Sequence, residues 1–146
     1  MKFLILNGPN LNLLGVREPG KYGTESYADL CRRVEEYCRG AGVTVEFYQS
    51  NHEGDLVDKI HEGYFNKIDG IVFNPGAYTH TSIALLDALL AVKIPCVEVH
   101  ISKVEEREDF RQISYIRQAC IGTVTGQGLS GYTEACKLLL ERLGEK

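Results

Sequence analysis

Two short stretches hold most of the side chains that could do chemistry. The first is Asn74-Pro75-Gly76-Ala77-Tyr78-Thr79-His80, a polar loop directly after the apolar run Ile71-Val72-Phe73. The second is Glu98-Val99-His100-Ile101-Ser102. Glu98 and His100 are two residues apart in a strand-like run, so both project from the same face and a carboxylate can reach toward an imidazole. Just beyond lie Arg107 and Arg111, spaced i, i+4 as on one helical face, a pair able to clamp an anion, most naturally a carboxylate. A third, longer stretch from Gly8 to about Glu25 carries Asn10, Asn12, Arg17, Glu18 and Tyr22. A free tyrosine is a poor base at neutral pH, with a pKa of ~10. A nearby arginine favours the phenolate, so Arg17 and Tyr22 in one loop form a plausible base. Asparagines, Ser102 and loop N–H groups suit several hydroxyls or a carbonyl. Taken together, these groups fit acid–base chemistry on a small polyhydroxylated acid. A plainer reading stays open for each: a capping Asn with a surface His, a solvated charge run, and a solvated loop.

The elements that must position these groups can be read from the hydrophobic pattern. Lys2-Phe3-Leu4-Ile5-Leu6 is a nearly continuous apolar run and reads as a central strand ending at Asn7. The segment after it is too long for an ordinary strand-to-helix turn, which suggests a lid or binding loop hinged at Gly15, Gly20 and Gly23. Leu11, Leu13 and Leu14 argue that part of it packs. Ser26 can cap a helix with Asp29 in its first turn and Leu30, Val34, Tyr37, Cys38 and Ala41 at helical spacing. Val43 to Gln49 alternates apolar and polar residues and reads as a half-exposed edge strand. A short helix is expected over Asp55–Tyr64, with Leu56, Val57, Ile60 and Tyr64 inward. Pro75 and Gly76 stop the third strand, and Thr81 or Ser82 caps a helix to Val92. Asp87 is an acid on an otherwise apolar segment and needs a partner if buried. Pro95 to Ile101 reads as a fourth strand, Lys103 to Arg111 as a charged helical segment, Cys120 to Val124 as a fifth strand, and Leu129 to Leu143 as a closing amphipathic helix.

Strands alternating with helices at this spacing imply an α/β fold with a doubly wound five-stranded parallel sheet. The half-exposed second strand suggests flavodoxin-like order 2-1-3-4-5. The loops after strands one, three and four then meet in one crevice at the carboxyl edge. One domain spanning residues 1–146 accounts for the length, with 44% hydrophobic and 25% charged residues. A net charge of −4 disfavours nucleic acid or a membrane surface as partner. No run approaches membrane-spanning length and the chain opens as a strand, so a cytoplasmic protein is expected. Cys31, Cys38, Cys96, Cys120 and Cys136 include no C-x-x-C pair and read as reduced thiols. His52 and His61 lack metal-ligand spacing, and no metal is expected. The Walker loop, G-x-G-x-x-G and G-x-S-x-G are absent, so no cofactor is implied. A phospho-receiver would need acids where Asn7 and Asn74 stand, and a flavodoxin would need a phosphate cradle after strand one.

The motifs Asn7-Gly8-Pro9-Asn10-Leu11, Arg17-Glu18-Pro19 with Tyr22-Gly23, Asn74 through Ser82, Glu98 through Ser102, and Arg107-Glu108-x-Phe110-Arg111 occur in order along the whole chain. In this the chain resembles the type II 3-dehydroquinate dehydratases. The resemblance implies dehydration of 3-dehydroquinate to 3-dehydroshikimate through an enolate, in the shikimate pathway, without a cofactor. It implies Tyr22 as the base, with Arg17 lowering its pKa, and His100 as the acid oriented by Glu98. It implies that Asn10 helps hold a water near the enolate oxygen, and that Asn74, Gly76, His80, Ile101, Ser102, Arg107 and Arg111 contact substrate. Asp87 would reach a neighbouring subunit's site, since the family forms trimers grouped into a dodecamer. Lys103 and Gln112-Ile113 depart from the family's usual residues. Carboxylates close to Lys103 in sequence favour its protonated amine, so a Schiff-base role is not expected. The competing class is a non-catalytic small-ligand module on the same fold, and the joint presence of Tyr22, Arg17 and His100 argues against it.

Overall fold

The computed structural model describes residues 1–16 and 24–144. The apolar runs become the middle of a parallel sheet. Its strands are β1 (Lys2–Asn7), β2 (Thr44–Gln49), β3 (Gly70–Asn74), β4 (Cys96–His100) and β5 (Gly122–Thr125), in the order β2-β1-β3-β4-β5. Every pairing is parallel, and Asn7 is level with both Gln49 and Asn74. The flavodoxin-like order expected from the sequence is therefore the one observed. β2 forms an edge and is only partly covered, which its alternating sequence requires.

Four α-helices among the described residues cover the two faces: α1 (Tyr27–Gly40), α2 (Glu53–Phe65), α3 (Ile83–Val92) and α4 (Ser130–Gly144). Because strand side chains alternate, Phe3, Ile5, Val72 and Val97 face one way, toward Leu30 and Val34 of α1 and Tyr132, Cys136 and Leu139 of α4. Leu4, Leu6, Ile71 and Phe73 face the other way, toward Leu56 and Ile60 of α2 and Leu85 and Leu89 of α3. The result is a three-layer molecule with a core on each side of the sheet. Ser26 and Asp29 form a reciprocal capping box that starts α1, and the Ser82 hydroxyl accepts from the Leu85 N–H to start α3. None of the described helices is long and apolar enough to cross a membrane.

Several local expectations need correction. Lys103 to Arg111 is not one helix but two short 3₁₀ turns, Val104–Glu106 and Asp109–Arg111, separated at Arg107, whose backbone is extended. Only Val104 of these turns is buried, and the segment lacks the apolar stripe that would hold a helix on the sheet. Tyr64 is 56% exposed because the buried stripe of α2 runs through Leu56, Ile60 and Gly63 instead. Tyr37 also faces solvent more than its spacing suggests. In the segment after β1, Leu11 and Leu14 pack into the core while Leu13 stays exposed.

Candidate active site

The carboxyl ends of β1, β3 and β4 open onto one cleft. From the segment after β1 come Pro9, Asn10, Leu11 and Leu14. From the 3₁₀ turn after β3 come Gly76, Ala77 and His80, with Asn74 at the strand end. From β4 and beyond come His100, Ile101, Ser102, Val104, Arg107 and Arg111. The structure thus places Asn10, Asn74, Gly76, His80, His100, Ile101, Ser102, Arg107 and Arg111 around one cleft. Arg17 and Tyr22 lie outside the described residues. Asp87 is exposed on α3 and does not line this cleft.

Close approach of two loops shapes the cleft floor. Gly8 donates its N–H to the Asn74 carbonyl at 2.7 Å, and a Cβ on Gly8 would sit 2.4 Å from the Pro75 oxygen. Gly76 has φ of 61°, in the left-handed region, and faces the Pro9 carbonyl. Beneath this floor runs a chain of buried amides and phenols. The Asn74 amide donates to Tyr132 Oη at 2.9 Å, and that hydroxyl donates to Asn7 Oδ1 at 2.6 Å. Asn7 in turn donates to Tyr27 Oη. Burial raises the pKa of Tyr132, and pushes that of Tyr27 up to about 12. These phenols therefore stay protonated and serve as hydrogen-bond spacers, not bases. Asn74 also accepts from the Gly76 N–H, so its amide is oriented from both ends.

His100 is held from behind. Its Nε2 lies 2.5 Å from Glu98 Oε2, and Glu98 is fully buried. The carboxylate accepts from the hydroxyls of Thr79 and Ser114, at 3.1 and 2.8 Å, and from Arg117 through Nε at 2.9 Å and Nη2 at 3.2 Å. Burial pushes the Glu98 pKa up, but the bonds from His100, Arg117 and Ser114 outweigh it and bring the group down to about 2. Glu98 is thus an anion at neutral pH. With Nε2–H given to Glu98, Nδ1 is the ring nitrogen left for chemistry.

His80 is fixed differently. Its Nδ1 lies 2.7 Å from the Ile113 carbonyl, which can only accept, so Nδ1 carries the proton. Burial lowers its pKa, aided by the charges of His100 and Arg111. His80 is therefore a neutral ring presenting an Nε2 acceptor. Arg111 donates Nε to Glu108 at 2.5 Å, so its fork is partly engaged within its own turn. Lys103 is well exposed, with Glu106 as its ion-pair neighbour at 3.9 Å. Thr79, Ser114 and Arg117 were not found from the sequence. Their role depends on pairing between β4 and its neighbours, and no local spacing signals it.

The chain matches the family model described as dehydroquinase class II over residues 1–140. It is 51% identical to the 3-dehydroquinate dehydratase of Caldicellulosiruptor bescii over 97% of this chain and 98% of that one. It is 52% identical to the enzyme of the same name from Alkalilimnicola ehrlichii, over 97% and 93% of the two chains. Among solved structures, the type II dehydroquinase from Butyrivibrio crossotus superposes with a TM-score of 0.94 at 55% identity, covering 96% of this chain and 97% of the other. The type II dehydroquinase from Propionibacterium acnes gives 0.91 at 42% identity, covering 96% of each.

Proposed function

This chain belongs to the class II dehydroquinase family and acts as a hydro-lyase on 3-dehydroquinate in the shikimate pathway, and from that premise we propose how its residues divide the reaction. Tyr22 takes a proton from C2 of the substrate as a phenolate, and the electrons move onto the ketone oxygen to form an enolate. Arg17 supports the phenolate by its positive charge. His100, protonated on Nδ1, then gives its proton to the C1 hydroxyl. The hydroxyl leaves as water, the enolate collapses, and the conjugated enone of 3-dehydroshikimate remains. One proton is taken and one delivered, so side chains alone balance the step and no cofactor is called for.

The observation that carries this reading is the His100–Glu98 pair, a cleft histidine backed by a buried anion. A general acid needs a partner that keeps its proton available at neutral pH, and a simple ligand-binding module has no need of one. Asn10 holds a water against the enolate oxygen. Asn74, Gly76 and His80 meet the substrate's hydroxyls and ketone. Ile101, Ser102, Arg107 and Arg111 surround its carboxylate end. Asp87 serves a neighbouring subunit in a dodecamer built of trimers. Free cysteines suit a cytoplasmic enzyme.

An ultraviolet assay for the enone tests the assignment. Tyr22→Phe should lose roughly a hundredfold or more in kcat while still binding substrate. His100→Ala should form product slowly while the C2 proton still exchanges with solvent. A Tyr22→Phe enzyme within a few-fold of wild type would remove the base from the scheme.

A further inference from the structure

We propose that Arg117 is a positioning residue of this site, whose two hydrogen bonds to Glu98 fix that carboxylate as the acceptor for His100 and so set the orientation of the imidazole. The proposal rests on the reading of His100 as the acid.

Arg117 lies in the 3₁₀ turn Ile116–Ala119, just before β5. Its Nε meets Glu98 Oε1 at 2.9 Å and its Nη2 meets Oε2 at 3.2 Å. This is a planar fork on a planar carboxylate, which fixes rotation about the Glu98 side chain as well as its place. Most surface ion pairs contribute little, but here one partner is fully buried and the other reaches it from a half-exposed position. Without the fork, Glu98 would keep the neutral donors Thr79 and Ser114, and Thr123 more distantly at 3.4 Å. None of these carries charge.

His100 and Arg117 share one carboxylate, and among the described residues these two are its ion-pair partners. The other titratable or charged groups around them are His80, Arg107 and Arg111 in the cleft, Glu105 near Arg117, and the thiols Cys96 and Cys120. Substituting Arg117 leaves all of these in place.

Two variants of the whole enzyme, Arg117→Gln and Arg117→Lys, separate charge from geometry. The readouts are kcat, KM and the exchange of the substrate's C2 proton with solvent. Arg117→Gln should lower kcat by about tenfold with KM changed less, while C2 exchange persists, because only the step that uses His100 loses its alignment. Arg117→Lys should recover part of kcat, since it retains the charge and loses the fork. A wild-type kcat in Arg117→Gln overturns the proposal, whatever happens to thermal stability. So does a loss of C2 exchange in step with kcat. Wild-type turnover in His100→Gln would instead overturn the assignment of His100 as the acid, a result that the Arg117 variants cannot produce.

Discussion

His80 illustrates how much a single hydrogen bond can decide. The Ile113 carbonyl takes the Nδ1 proton, and burial holds the pKa below the usual 6.5. Protonation of His80 is therefore disfavoured in the folded enzyme. The stability linked to this group is fully present above the unfolded value and is lost as pH falls through the lower folded value. Its NMR titration should show a midpoint below 6.5 and the Nδ1–H tautomer at neutral pH. His80→Leu should raise KM by about tenfold through loss of one hydrogen-bond acceptor in the cleft, with a smaller change in kcat. A wild-type KM in that variant would remove His80 from substrate contact. Residue-scale legibility follows the distance between partners in sequence. Glu98 and His100 could be paired on paper because strand alternation puts i and i+2 on one face. Arg117 could not, since it reaches Glu98 only through the packing of the β5 approach against β4.

The elements that carry the site were legible where their pattern was strong. β1, β3 and β4 are apolar runs bounded by Asn, Pro and Gly, and the structure has each of them within a residue or two of the expected bounds. The start of α1 was readable from Ser26 as a cap and Asp29 in the first turn, and the structure adds the reciprocal bond from the Ser26 N–H to Asp29. The Lys103 to Arg111 segment misled because charge spacing mimics a helix face without supplying an apolar one. Arg107 and Arg111 still reach the same cleft, through two turns in place of one helix. What charge spacing could not convey is how closely the β1 and β3 loops meet. A methyl on Gly8 would collide with the backbone of Pro75, not with a yielding side chain. Gly8→Ala must therefore push the Asn74–His80 turn away from Asn10. Overpacking of this kind costs about 1–3 kcal/mol. Thermal unfolding should register that loss, and kcat/KM should fall by at least about tenfold because two walls of the cleft separate. An unchanged kcat/KM would mean that the turn can move without disturbing the substrate.

At the scale of the whole molecule, one surface is poorly explained by a chain standing alone. Ile83, Asp87 and Leu90 lie one turn apart on the outer side of α3, with Ile83 55% and Leu90 50% exposed. By its sequence Asp87 is an acid among leucines that needs a partner if buried, and within the chain it is exposed. Apolar residues flanking a carboxylate make a poor solvent face and a reasonable contact for another subunit. The proposed dodecamer would cover this stripe and carry Asp87 to a neighbour's cleft. Sedimentation of the active enzyme should then give a species many times the 16.3 kDa of one chain. Leu90→Glu should shift it toward smaller species, and activity should fall with assembly although Leu90 is remote from its own cleft. Asp87→Ala should lower activity without dissociating the enzyme, because it removes a polar contact and leaves the apolar flanks intact. A fully active monomer would break the link between Asp87 and catalysis. It would leave the cleft formed by β1, β3 and β4 as sufficient for the reaction, together with the segment that carries Arg17 and Tyr22.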